Sequence, residues 1–371
     1  MFFYDFPNLL AIFIVIIISF RIGLIPLWLS FFLGLFALTP FFLNDLLFPA
    51  SYMPDQFQYF NEVRQIRSFD FEPMRNMRLT VSNWILAIMP LPYVETIKSL
   101  GFFNRLIATF VIIWLYSKKN LRGWPLLFIL FYPSFLLYSS LSLRDTIVFM
   151  FMIVSVILFI ENRRLPAVLI SLPLFIIKAQ NFFLLIVFFV IHLYFAKGSL
   201  FYKYRYFLII LVIGAIAPFI FQIIELLDFA RMAFYIDDGG FREDYVHIKT
   251  FRDFFVIALQ SSPYFLMKPF PWEADSFLQI IQSIENIFIF GFLTFIFYKT
   301  SQIDKNITFK WLVYLFAALS IYGLVVFNFG SAVRYKFPFI LITIIGVCYE
   351  IYFKHGKLIF NKEVKKVKSG A

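Results

Sequence analysis

The stretch Ser139 to Met150, SSLSLRDTIVFM, sets Arg144 beside Asp145 where two long apolar runs meet. A charged doublet at such a seam is costly and needs a functional or a topological reason. Guanidinium offers a planar fork of donors and keeps its charge, so Arg144 is a candidate phosphate contact. Two structural readings compete with this. The pair could close a helical hairpin as an internal ion pair, or Asp145 could sit at the N-terminus of the next helix, where a negative charge is favourable.

Three further stretches carry the remaining candidates. Residues 52–67, YMPDQFQYFNEVRQIR, space Phe57, Phe60, Val63 and Ile66 every three residues between polar groups. That spacing predicts a short amphipathic helix at a membrane surface. Asp55 is a candidate base or sugar-binding carboxylate, and equally a helix cap with Gln58 three residues on. Glu62 is a second candidate base, against a solvated polar face. Residues 262–286, SPYFLMKPFPWEADSFLQIIQSIEN, hold Pro269 and Pro271, which exclude a regular helix and fix Lys268, Trp272 and Glu273. Trp272 also suits ordinary interfacial anchoring. Glu285 lies about two turns inside the next apolar run, so it should face the interior and have a partner. Residues 328–339, NFGSAVRYKFPF, read as a turn at Gly330, with Arg334, Tyr335 and Lys336 entering the last run and Pro338 near its first turn. Lys178 is a lesser candidate for the same anion-binding role and is equally explained by snorkelling at a helix end.

These residues must be positioned by a membrane scaffold. The 371-residue chain is 61% hydrophobic and 15% charged, with a mean hydropathy of +0.84. Soluble domains are about half apolar and a quarter charged. An all-α, polytopic bundle is therefore expected. A span needs about 20 apolar residues. Eleven candidate spans run at 6–20, 24–43, 100–116, 124–140, 146–161, 166–178, 181–196, 206–227, 277–298, 310–328 and 337–353. Ser82 to Lys98 is too short and holds Pro90 and Pro92, so a re-entrant or interfacial segment is expected there.

The net charge of +11 concerns topology, not nucleic acid. Lys118, Lys119 and Arg122, then Arg163 and Arg164, then Lys197, Lys203 and Arg205, then Lys299, Lys305 and Lys310, and finally the basic tail 354–371, recur on one side. The positive-inside rule makes that side cytoplasmic, with the N-terminus outside and the C-terminus inside. Two long loops of mixed charge, about 44–99 and 228–276, then face outward on a single integral membrane domain. Long loops are commonly functional. The lone Cys348 permits no intrachain disulfide, and His192, His247 and His355 show no metal-ligand spacing. The first run lacks the flanks of a signal peptide and is expected to be a retained span.

Taken together, SSLSLRDTIVFM after Tyr132-Pro133-Ser134, a large outer loop ending in MKPFPWE, then SIEN, then GSAVRYKFPF, resembles the Wzy/EpsG-like oligosaccharide repeat-unit polymerases. These belong among the GT-C-type polytopic glycosyltransferases. The resemblance implies a bacterial inner-membrane enzyme that joins polyprenyl-diphosphate-linked oligosaccharides on the outer face, for O-antigen, capsule or exopolysaccharide. A chain-length regulator and a flippase are implied as partners. Outward arginines that hold diphosphate or sugar would correspond to Arg144 and Arg334, then to Arg242 and Lys268. Fixed cations suit the negative charge that develops as the anomeric bond breaks, and a carboxylate such as Asp55, Glu62 or Glu273 could take the acceptor's proton. With no D-x-D pair, neither a metal nor another cofactor is expected. Two alternatives stay open: a flippase or transporter of lipid-linked oligosaccharides, which should carry charges deep within several spans, and a transferase that uses a polyprenyl monophosphate sugar.

Overall fold

A computed structural model describes residues 2–44, 47, 53–70, 77–118, 123–196, 200–237 and 239–356. Asp45, Glu72, Arg75, Lys119, Arg122, Lys197, Asp238 and residues 357–371 of the basic tail lie outside them. The described residues are helical, with no strand among them. In chain order the helices are α1 (Phe6–Arg21), α2 (Leu27–Ala37), α3 (Thr39–Leu43), α4 (Asp55–Arg67), α5 (Met77–Ile88), α6 (Ile97–Ser117), α7 (Trp124–Phe131), α8 (Pro133–Tyr138) and α9 (Asp145–Ile160). Then come α10 (Arg164–Ile177), α11 (Ala179–Phe195), α12 (Leu200–Lys203), α13 (Arg205–Ile216), α14 (Ile220–Asp237), α15 (Phe251–Met267), α16 (Phe277–Ser301), α17 (Lys305–Val325) and α18 (Phe329–His355).

Among the described residues five helices are long and apolar enough to cross a membrane: Phe3–Arg21, Ile97–Ser117, Phe277–Ser301, Lys305–Val325 and Phe329–His355. Shorter apolar helices cover Leu27–Leu43, Asp145–Ile160, Arg164–Ile177 and Ala179–Phe195. This set fits a multi-pass membrane protein. The outward faces agree with that setting. Ile280, Ile284, Ile287 and Phe288 of α16 are exposed, a pattern that water penalises and hydrocarbon does not.

Three of the apolar runs are broken, each at a proline. Helix α2 gives way to α3 just before Pro40, α7 ends at Phe131 with Tyr132 as its cap ahead of Pro133, and a 3-10 turn at Ala217–Phe219 divides α13 from α14. The residue before proline is pushed out of the helical region, and proline lacks the donor that a continuing helix needs.

The chain forms two compact units, one comprising Met1–Leu185 with Tyr352–Ala371 and the other Ile186–Ile351. The first unit is organised around the non-helical seam 139–144. Residues Ser139 to Leu143 are buried, so their backbone groups need protein partners. Asn104 of α6 supplies two, its Nδ2 donating to the carbonyls of Leu141 and Leu143 at 2.6 Å each. The Ser142 amide donates to Gln56 Oε1 of α4 at 2.9 Å. Buried Arg105 donates through Nη2 to Thr39 Oγ1, Leu136 O and Ser140 Oγ. Gly101 lets α6 lie against this seam, because a Cβ there would stand 2.2 Å from the Ser140 carbonyl oxygen. Gly101→Ala should therefore destabilise the first unit by about 1–3 kcal/mol. Thermal unfolding of the detergent-solubilised chain measures this, and an unchanged midpoint contradicts the packing.

The predicted surface helix exists as α4, but its buried face differs from the expected one. Gln56, Tyr59, Val63 and Ile66 are buried, while Phe57 is exposed. Gln56 takes the inner place because its amide oxygen serves Ser142. Asp55 is the first residue of the helix and not its cap, which is Pro54. After α5 the chain leaves the helix at Met89, ahead of Pro90 and Pro92. Arg67 holds this non-helical stretch by donating to the carbonyls of Ala87, Met89 and Leu91 at 3.0, 2.6 and 2.6 Å.

Candidate functional site

In the second unit, the proline pair ends α15 at Met267 and leads into a 3-10 turn at Pro271–Glu273. Lys268 meets Glu273 at 2.6 Å and lies 3.8 Å over the Tyr264 ring. Trp272 stacks on Phe270 with centroids 4.9 Å apart and stays largely exposed. Helix α16 adds Asn286, whose Nδ2 donates to the carbonyls of Met267 at 3.2 Å and Lys268 at 2.9 Å.

Helix α18 adds Lys336. Its Nζ donates to Asn286 Oδ1 at 2.6 Å and to the carbonyls of Leu266 and Phe265 at 3.1 and 3.4 Å. These carbonyls end α15, where a helix is partially negative and a cation is favoured. Glu285, buried beside Asn286, is close enough to Lys336 for their charges to interact. Arg334 and Tyr335, which immediately precede Lys336, are half-buried, with Tyr335 against Tyr322 at 5.3 Å.

The expected turn at Gly330 is instead the start of α18. Asn328 Oδ1 accepts the amides of Gly330 and Ser331, a side-chain cap that begins the helix. Pro338 consequently lies inside α18, not in its first turn. Lys336 faces the interior with no exposure to solvent.

Burial opposes the charge on Lys268, but its hydrogen bonds to Glu273 and Tyr264 outweigh that and raise its pKa. The Glu273 pKa is lowered, chiefly by the hydrogen bond from Lys268. A depressed carboxylate stabilises the fold above its unfolded pKa and stops doing so as pH falls through its folded one. A raised lysine stabilises below its unfolded pKa and fails as pH rises through its folded one. The pair thus holds across neutral pH. Glu273→Gln should melt lower than the parent chain at pH 7, and the gap should close in acid. Parallel melting curves at both pH values would refute the pairing.

In the first unit, Arg144 and Asp145 do not bond each other. Asp145 is buried in the first turn of α9 and pairs with Lys178 at 3.3 Å. Arg144 donates through Nη1 to the Ile177 carbonyl at 2.9 Å. Among the described residues this is the one hydrogen bond of a half-buried guanidinium, so most of its donors remain available. Glu62 accepts from Asn83 at 2.5 Å and from Gln58 at 3.1 Å, and Asp55 is exposed on α4. Arg242 lies on the exposed turn Arg242–Asp244 and joins neither cluster.

Lys310 is not a cytoplasmic surface charge. It is buried in α17, contacting Glu350 at 2.5 Å and His192 Nδ1 at 3.0 Å, while Trp311 Nε1 donates to Glu350 at 2.9 Å. Among the described residues no group of three or more His, Cys, Asp or Glu could hold a metal ion.

Sequence reasoning missed Asn286 and the interior role of Lys336. The available signal was an amide and an ammonium inside apolar runs, which need buried partners. No protein-family model, curated protein or solved structure matches the chain.

Proposed function

We propose that the chain is a membrane glycosyltransferase that polymerises polyprenyl-diphosphate-linked oligosaccharide repeat units on the outer face of a bacterial cytoplasmic membrane. One observation carries this reading. MKPFPWE and SIEN, close in sequence, meet the more distant SAVRYKFPF at the C-terminal end of α15, through Asn286 and Lys336. The cluster sets Lys268 against Glu273 and buried Lys336 near Glu285, with exposed aromatic surface at Trp272. Lysine side chains beside an aromatic face suit a sugar attached to a diphosphate. Arg144 and Lys178 are proposed to contact the same class of ligand from the first unit.

The proposal includes about eleven crossings, with short and broken helices completing the five long ones, the N-terminus outside and the C-terminus in the cytoplasm. A cysteine placed at exposed Phe241 should react with a membrane-impermeant reagent from outside, and protection there would reverse the orientation. A flippase or transporter is the second reading. It is favoured by the buried Lys310–Glu350–His192 group, since ionisable residues within spans often mark transport paths. The glycan profile of a gene deletion separates the two. Loss of long chains with retained single-repeat products supports the polymerase. Loss of all surface glycan supports the flippase or an earlier transferase.

A further inference from the structure

We propose that His247, oriented by Asp228 at the edge of a cleft against α14, accepts the proton of a sugar hydroxyl. This rests on the glycosyl-transfer reading and assigns that reaction a base outside the Lys268 cluster.

The cleft holds about 580 Å³, within the range of small-molecule sites. Phe221 and Phe229 give it largely exposed aromatic faces, and Glu225 and Lys249 give it one charge of each sign. Aromatic faces beside a carboxylate suit a sugar. Asp228 Oδ2 lies 2.7 Å from His247 Nδ1, while Asp228 Oδ1 accepts from the Ile248 amide and the Tyr245 hydroxyl, each at 2.8 Å. A carboxylate at Nδ1 keeps the proton there and leaves Nε2 as the accepting nitrogen. Among the described residues Nε2 has no hydrogen-bond partner, and the ring lines the cleft.

Tyr245 fixes the arrangement. Its ring meets His247 edge-on at 4.8 Å. Arg231 in turn lies over Tyr245 and donates to the Val246 carbonyl at 2.7 Å and the Leu324 carbonyl at 2.9 Å. Asp228 is thus a positioning residue and His247 the catalytic one.

The step balances. The acceptor hydroxyl gives its proton to Nε2 as its oxygen bonds to the donor's anomeric carbon. The bond from that carbon to the diphosphate oxygen breaks, and its electron pair leaves with the polyprenyl diphosphate, whose charge Lys249 offsets. Asp228 stabilises the imidazolium until it loses the proton to water. The dyad and the Lys268 cluster sit at opposite ends of α15, whose 17 residues span about 25 Å. That separation suits an acceptor whose own lipid diphosphate rests near Lys268 while its far sugar presents the reacting hydroxyl at His247.

The test is the surface-glycan ladder of a deletion strain complemented with full-length variants at equal membrane abundance. Glutamine at position 247 can still donate to Asp228 but cannot accept the proton, so His247→Gln should lower elongation at least 100-fold. Asp228→Asn should lower it strongly, and Asp228→Glu should recover part. A normal ladder from His247→Gln overturns the proposal. If His247→Gln does not accumulate, membranes carrying His355→Gln are treated with diethyl pyrocarbonate. Modification of His247 should stop elongation and hydroxylamine should restore it. Unchanged elongation after full modification overturns the proposal. The two failures are distinguishable. A deletion strain that keeps its long chains, or lacks single-repeat products, refutes glycosyl polymerisation. One with single-repeat products only, fully restored by His247→Gln, refutes the dyad alone.

Discussion

Lys336→Met should abolish elongation and lower the melting temperature of the solubilised chain more than any substitution at an exposed candidate residue. Methionine fills a similar volume but donates nothing. The Asn286 amide oxygen and the α15 carbonyls of Phe265 and Leu266 would lose their shared donor inside the protein. Removing one partner of a buried charged group costs about 3–5 kcal/mol. Glu285 would also lose a nearby opposite charge, so adding Glu285→Gln should recover part of the loss, a coupling that a double-mutant cycle measures. Wild-type melting of Lys336→Met would remove the structural basis of the cluster.

Arg144→Ala should leave the chain folded in the membrane and eliminate long polymer. The hydrogen bond to Ile177 is worth about 1 kcal/mol, too little to unfold the first unit. The larger effect falls on the ligand, because the free edge of the guanidinium is what a diphosphate would engage. Arg144→Lys should restore little, since a point charge does not reproduce a fork of donors. Normal chain-length distributions in both variants would end the assignment of Arg144.

Much of the fold follows from local sequence rules. Proline positions account for the breaks at Pro40, Pro133 and Pro218 and for the end of α15 before Pro269. The amphipathic helix at 55–67 was legible in its existence but not in its rotation. Its inner face is chosen by the bond from Ser142 to Gln56, 86 residues apart. The same limit governs the site. Lys268, Trp272, Glu273 and Glu285 were visible as costly or rigid residues, whereas their meeting with Lys336 spans roughly 50–70 residues and left no local trace. In a linear reading Gly330 looks like a turn signal and Pro338 like a first-turn proline. The Asn328 cap makes a helix of that segment and carries Lys336 inside. The pairing of Asp228 with His247 likewise depends on a chain reversal after α14 that periodicity does not encode.

The seam at 139–144 also bears on how the chain is made. Its carbonyls and amides are met by Asn104 and Gln56, both on helices synthesised earlier. A ribosome delivering residues in order therefore presents a prepared cradle before the seam emerges, and the seam never has to wait in the bilayer with its polar backbone uncovered. Arg144 and Asp145 differ, because Ile177 and Lys178 are made afterwards. Closing the α9–α10 hairpin is therefore the step that brings these two contacts to the doublet.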